Sequence, residues 1–272
     1  MSRVLRLPSR GRLLVCTDLQ GNLGDFVAMA GHFAAAGPDA HLVITGDLVH
    51  GPDDETADDW PALLGTRYRD ESVRLLQAFE QLARACPGRV HALLGNHDHS
   101  HVGGPVTSKF HPDEARALEQ RLDPAGVLWL RTLISSFALV ATAPCGVALL
   151  HAAPSAPIDG PDDLEALTLD GYEGRPFTDL LATPVLGPLL WSRMARDHEA
   201  ERFVRALGTE VAIYGHDLVR EGWAKDGPRQ LCVSTSFGLV DAAKTYVELD
   251  LGAHYHSVDD FHEGVELRRL HH

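Results

Sequence analysis

Five times along the chain a short apolar run stops at a polar or glycine-containing corner. Leu14-Val15-Cys16-Thr17 meets Asp18, Leu42-Val43-Ile44-Thr45 meets Gly46-Asp47, and Leu93-Leu94 meets Gly95-Asn96-His97-Asp98. Val147-Ala148-Leu149-Leu150 meets His151, and Val211-Ala212-Ile213-Tyr214 meets Gly215-His216. Apolar runs of this length predict strands buried on both faces. Between the first three runs the apolar spacing becomes helical, over residues 25–36 and again over 71–86, where Val73, Leu75, Leu76, Phe79, Leu82 and Ala83 share a face. Gly37-Pro38 and Pro87-Gly88 stop the two helices. Strand, helix, strand, helix, strand is the order of a parallel sheet with right-handed crossovers. In such sheets ligands bind beyond the carboxyl ends of the strands, so Asp18, Asp47, Asn96, His151 and His216 are expected along one edge.

The rhythm changes after Asp98. Residues 99–105 read as a loop in which His99 and His101 are solvated, and a short helix follows, from 111 to about 122. Residues 137–141 and 147–150 flank Pro144-Cys145-Gly146 and predict a hairpin that begins a second sheet. The stretch 154–188 is rich in Gly and Pro, with one short helix expected near 162–167. That length exceeds an ordinary connection and suits a lid or specificity insertion. A helix at 197–207 and closing strands near 231–234, 245–251 and 265–270 complete a single expected domain over 1–272.

Composition narrows the function. At 272 residues and 44% hydrophobic the chain can bury a large core. A formal net charge of -14 argues against a broad nucleic-acid surface but not against a small phosphorylated substrate, because bound cations reverse the local sign of a pocket. No secretory leader and no apolar run long enough for a membrane span are visible, which sets a cytoplasmic protein as the expectation. Cys16, Cys86, Cys145 and Cys232 are scattered and read as free thiols. Most of the sixteen histidines are expected at the surface, His271 and His272 among them.

Carboxylates, an amide oxygen and imidazoles at one sheet edge form a donor set for divalent metals. Taken singly, Asp18 and Asp47 suit turns or helix caps, Asn96 a turn, and His151 and His216 a core. It is their shared position at strand ends that points to a metal. His97 lies beside Asn96 and has an ordinary pKa suited to a general acid.

The motifs Asp18-Leu19-Gln20-Gly21-Asn22, Gly46-Asp47-Leu48-Val49-His50-Gly51-Pro52, Gly95-Asn96-His97-Asp98, Leu150-His151-Ala152-Ala153 and Tyr214-Gly215-His216-Asp217 resemble those of the calcineurin-like metallophosphoesterases. The resemblance is nearest to the phosphoprotein phosphatase branch and its bacterial relatives. It implies a four-layer αββα sandwich, an α/β fold of two mixed sheets flanked by helices. It also implies a metal-dependent phosphoesterase that hydrolyses phosphomonoesters, with a phosphoprotein or a nucleotide as substrate, by attack of a metal-bridging hydroxide. Two divalent ions are implied, Mn first, with Fe, Zn or Mg as alternatives. Asp47 then bridges them, Asp18 completes the first site with Gln20, and Asn96, His151 and His216 hold the second. Within Leu190-Trp191-Ser192-Arg193, Arg193 suits either a phosphate clamp or a surface ion pair, and His50 is a second candidate for substrate contact.

Three departures from the family pattern stand out. Gln20 takes the place of a histidine, and a neutral amide oxygen favours harder cations. His50 stands where the family has Asp-Arg, removing a carboxylate that orients the general acid and a phosphate-binding arginine. Ala152-Ala153 replaces a glycine pair. Two alternatives to a phosphomonoesterase therefore stay open: a phosphodiesterase, and a catalytically silent binding protein on the same scaffold.

Overall fold

A computed structural model describes residues 2–271, apart from the side chain of Glu55. Its strands in chain order are β1 (Val4–Arg6), β2 (Arg12–Cys16), β3 (Ala40–Ile44), β4 (Val90–Ala92), β5 (Val140–Ala143), β6 (Val147–Leu150), β7 (Val211–Tyr214), β8 (Trp223–Lys225), β9 (Gln230–Val233), β10 (Thr245–Asp250) and β11 (Leu267–Arg269). The helices are α1 (Leu23–Ala35), α2 (Asp54–Asp58), α3 (Ser72–Ala85), α4 (Asn96–His99), α5 (Glu114–Glu119), α6 (Pro124–Ile134), α7 (Pro161–Glu165), α8 (Phe177–Leu181), α9 (Leu186–Trp191) and α10 (Asp197–Ala206).

The strands form two mixed sheets, ordered β11-β10-β2-β3-β4 and β1-β5-β6-β7-β9-β8. In the first, β2, β3 and β4 run parallel and β10 is antiparallel to β2. In the second, β6, β7 and β9 run parallel while β5 and β8 are antiparallel to their neighbours. Most central strands carry apolar residues on both faces, and alternation along the strand divides them between two cores. Leu13 and Val15 of β2, Val43 of β3, Leu149 of β6, Ile213 of β7 and Val247 of β10 meet between the sheets. Leu14, Cys16, Leu42, Ile44, Leu150, Tyr214 and Tyr246 face outward into a core shared with Phe26, Met29, Leu75, Phe79 and Phe203 of the helices. Full burial of such side chains stabilises the fold by about 1.5–3 kcal/mol each, so the sandwich is held chiefly by these two apolar layers. The four-layer arrangement expected above is therefore present.

Several elements differ from expectation. β1 pairs in parallel with β5, a strand of only three residues among basic neighbours that offers no periodic signal. β4 ends at Ala92, so Leu93 and Leu94 lie just beyond it, and Leu93 makes one parallel bridge to Ala138 that joins the two sheets. Helix α6 was not expected, although Asp123 caps it by accepting from Gly126 N and Pro124 fills its first turn. The stretch 154–188 carries α7 near the expected place, but it also contains α8 and the start of α9, and Leu164, Leu180 and Leu186 are buried in the helix-side core. No helix among the described residues is long and apolar enough to cross a membrane.

The histidine expectation also needs correction. His99 and His101 are buried, because each ring finds an acceptor: His99 Nε2 lies 2.6 Å from Leu169 O, and His101 Nδ1 lies 3.0 Å from Glu119 Oε1. His271 is half-buried with Nε2 2.7 Å from Asp25 Oδ1, while His272 lies outside the described residues. Cys16, Cys145 and Cys232 are buried free thiols and Cys86 is half-buried.

Candidate metal centre

Three strands of the expected set, β2, β3 and β7, end in a sharp corner. Asp18, Gln20, Asp47, His50 and His216 are the non-glycine residues with positive φ among the described residues, at 49°, 39°, 53°, 68° and 65°. Left-handed backbone at a non-glycine residue costs on the order of 1–3 kcal/mol and persists only where its surroundings enforce it. The enforcement is visible. Asp98 accepts from Asp47 N at 2.7 Å, Gly95 N at 3.0 Å and Leu48 N at 3.1 Å, clamping the corner after β3 to the corner after β4. Burial pushes the Asp98 carboxyl up to about 7, with the Asp47 charge adding to the rise. Gly95 is required at the crossing because a Cβ there would stand 2.2 Å from Asp47 Oδ1.

Four of the expected donors converge. His151 Nε2 lies 2.9 Å from Asn96 Oδ1, 3.1 Å from His216 Nδ1 and 3.6 Å from Asp47 Oδ1. The other ring nitrogen, His151 Nδ1, lies 3.0 Å from Thr45 O, an acceptor that fixes the ring with Nε2 facing the group, as second-sphere carbonyls do for metal-binding histidines. A carboxamide oxygen, two imidazole nitrogens and a carboxylate oxygen thus converge on one point. The donor set therefore fits a divalent metal.

Asp18 stands to one side, with Oδ2 accepting from His216 N at 2.9 Å. Burial pushes its carboxyl up to about 6, against the pull of the His151 imidazole and with the Asp47 carboxylate adding to the rise. Burial would raise Asp47 as well, but the imidazoles of His151, His97 and His216 outweigh it and hold Asp47 down to about 2. Gln20 is turned so that Nε2 donates to Asp47 Oδ2 at 3.3 Å while Oε1 accepts from Lys109 Nζ at 2.9 Å.

His97 is held apart from the donor set. Its backbone N–H donates to Asp47 Oδ1 at 3.0 Å, and its Nδ1 lies 3.2 Å from Glu114 Oε2. Burial lowers the proton affinity of His97, yet Asp47 and Glu114 outweigh it and the net shift is upward. His50 sits behind His97, with Nδ1 3.1 Å from His97 Nδ1 and Nε2 2.9 Å from His101 Nε2; burial, with His101 and His97, holds its pKa well below the usual value. Arg193 pairs with Asp217 Oδ1 at 2.9 Å and also lines the cavity.

That cavity, about 370 Å³, is walled by Gln20, Asp47, Asn96, His97, Lys109, Phe177, Trp191, Arg193 and His216. A smaller lobe of about 180 Å³ continues past Asp18, Lys109 and Phe237. His50 lines neither. A larger groove of about 610 Å³, lined by Phe79, Val90 and Phe137 among others, holds none of these donors. Two residues of the site escaped the sequence reading. Lys109 has no periodic or motif context, and Glu114 reads only as an acidic residue at a helix start.

A two-sheet sandwich with this donor set at its strand ends defines a metal-dependent hydrolase of phosphoester bonds. The chain belongs to the calcineurin-like phosphoesterase family, whose model matches residues 11–220. The family implies a dinuclear divalent metal centre and phosphorylated substrates. Among solved structures, a serine/threonine phosphatase from Saccharomyces cerevisiae with similarity to human phosphatase PP5 is similar at TM-score 0.67 and 14% identity, over 92% of this chain and 77% of that one. A cold-active protein-tyrosine phosphatase of a psychrophilic Shewanella is similar at TM-score 0.60 and 16% identity, over 93% and 78%. No curated protein matches the sequence significantly.

Proposed function

We propose that the chain is a phosphoesterase acting on monoesters, and the observation that carries catalysis over metal binding alone is the His97–Glu114 pair beside the donor set, at 3.2 Å. Holding a metal does not require such a pair; expelling an alkoxide from a phosphoester does. Asp47, Asn96, His151 and His216 are the proposed ligands. Hard oxygen donors beside two imidazoles favour Mn as the cation. When bound, the metal supplies Lewis acidity and a nucleophile from water. His97 lends a proton to the leaving oxygen, and the Glu114 carboxylate orients its ring and holds the proton on it. Arg193 at the cavity wall pairs with phosphoryl oxygens when it leaves Asp217. Phe177 and Trp191, with ring centroids 4.3 Å apart, wall the place where the alcohol or phenol portion rests. Phe177 comes from the 154–188 stretch, which supports the specificity role proposed for that insertion. The fold relatives named for serine/threonine and tyrosine phosphatases favour a phosphorylated hydroxyl side chain or a compound like it as substrate.

The test is turnover of matched aryl monoester and diester by chelator-stripped protein given Mn. Monoester hydrolysis should require the metal and disappear in Asp47→Asn, because an amide cannot supply the charge that holds the cation. Faster diester turnover would transfer the assignment to a phosphodiesterase, and no turnover of either in any metal would leave a binding protein.

A further inference from the structure

We propose that in this chain the Lys109 ammonium takes the place of one of the two cations implied by the family, so that a single divalent ion is held, at Asp47, Asn96, His151 and His216. The orientation of Gln20 is the starting point. Its carboxamide oxygen, the atom that would ligate, accepts from Lys109 Nζ at 2.9 Å, and its N–H points at Asp47 Oδ2, 3.3 Å away. An N–H donor and a metal ion cannot share that approach to the same carboxylate oxygen. Among the described residues, Asp47 converges with His151 and His216 as a metal-capable group, and Asp18 does not join them. On the Asp18 side of the centre the Lys109 ammonium faces Gln20 and the Phe237 ring.

Lys109 is built in rather than passing through. The residue is exposed along the cavity wall while its ammonium turns inward and lies 3.6 Å from the centroid of the Phe237 ring. A cation over an aromatic face is attracted by the ring quadrupole, the more so when desolvated. Phe237 in turn packs edge-on against Phe110, the next residue after Lys109. Burial lowers the proton affinity of Lys109, and the carboxylates of Asp47 and Asp18 are the largest influences opposing it, so the ammonium sits in the field of both. One lysine thus compensates two departures in the sequence. It supplies fixed positive charge where Gln20 weakens a metal site, and it supplies a phosphate-binding cation where the arginine beside His50 is missing. One ammonium hydrogen meets Gln20; the others are free for phosphoryl oxygens, a role that rests on the phosphomonoesterase reading.

The experiment counts metal rather than product. Chelator-stripped protein is titrated with Mn by calorimetry, with elemental analysis after desalting. Wild type is expected to take one equivalent, and Gln20→His still one, because the ammonium remains. Lys109→Met removes the ammonium but keeps an unbranched side chain beside Phe237 and should admit a second, weaker equivalent; combined with Gln20→His it should take two tightly. At one equivalent of Mn, kcat/KM of Lys109→Met for an aryl monoester should fall about 100-fold, the scale for losing one preorganised electrostatic contact. Two tight equivalents in wild type, or one in either Lys109→Met protein, overturns the proposal. A wild type that holds one Mn and hydrolyses no ester overturns the functional reading and leaves the metal count standing.

Discussion

At the scale of single residues the site is marked by strain. Every positive-φ residue other than glycine among those described falls in or directly behind the metal centre. Such corners aim short polar side chains back across the strand ends, which no relaxed turn would do. His97 and Glu114 are where this geometry meets proton chemistry. His97→Ala should leave metal content unchanged and slow alkyl monoesters by about 100-fold, with a smaller loss on aryl esters whose leaving groups hardly need a proton; equal losses would remove the general-acid role. Glu114→Gln tests the orienting carboxylate through pH. Glu114 helps raise the pKa of His97, and a general acid is lost on the alkaline side as pH passes through that value. Removing the carboxylate lowers the pKa, so the alkaline limb of the pH–rate profile should move to lower pH. A profile that only drops in height would assign Glu114 to packing. The proposed ligands were legible because each follows an apolar run. Glu114 and Lys109 were not, because they reach the site from a helix start and a loop whose local sequence gives no reason for convergence.

At the scale of elements, long apolar runs and strongly amphipathic helices were readable, and short elements that depend on partners were not. β2 and β10 matched closely, whereas β1 and β8, three residues each, exist because a neighbouring strand edge accepts them. The same applies to α8 and α9 in the 154–188 stretch, whose buried leucines are spaced too irregularly to predict a helix alone. This stretch delivers Phe177 to the cavity against Trp191. Phe177→Ala should raise KM for aryl monoesters between about twofold and about tenfold, as expected for one lost aromatic contact of about 0.5–1.5 kcal/mol, and leave kcat nearly unchanged. Steady-state kinetics on aryl and alkyl substrates checks this, and a loss confined to kcat would place the segment in the chemical step.

For the molecule as a whole, one buried charge cluster ties distant parts together. Asp25 in α1 accepts from Lys244 at 2.8 Å and from Ser236 at 2.5 Å, and lies 2.7 Å from His271, so the first helix is fastened to residues more than two hundred positions later. Removing one partner of a buried pair strands the other charge, and Asp25→Asn should destabilise the fold by about 3–5 kcal/mol. Denaturant unfolding checks it; a change under 1 kcal/mol would mean that Lys244 is satisfied by Asp241 alone, 2.8 Å away. The five-stranded sheet has the same long reach: β2 sits between β3 and β10, so one edge of its second strand waits for residues 245–250. The order of synthesis turns this into a hazard. While the ribosome is still making the middle of the chain, β2 and β3 can pair but β2 keeps an open, apolar edge of the kind that joins strands from other chains. Nascent chains stalled before Thr245 are therefore the form of this protein that chaperones must guard, and a messenger cut short there yields an aggregate rather than a weakened enzyme.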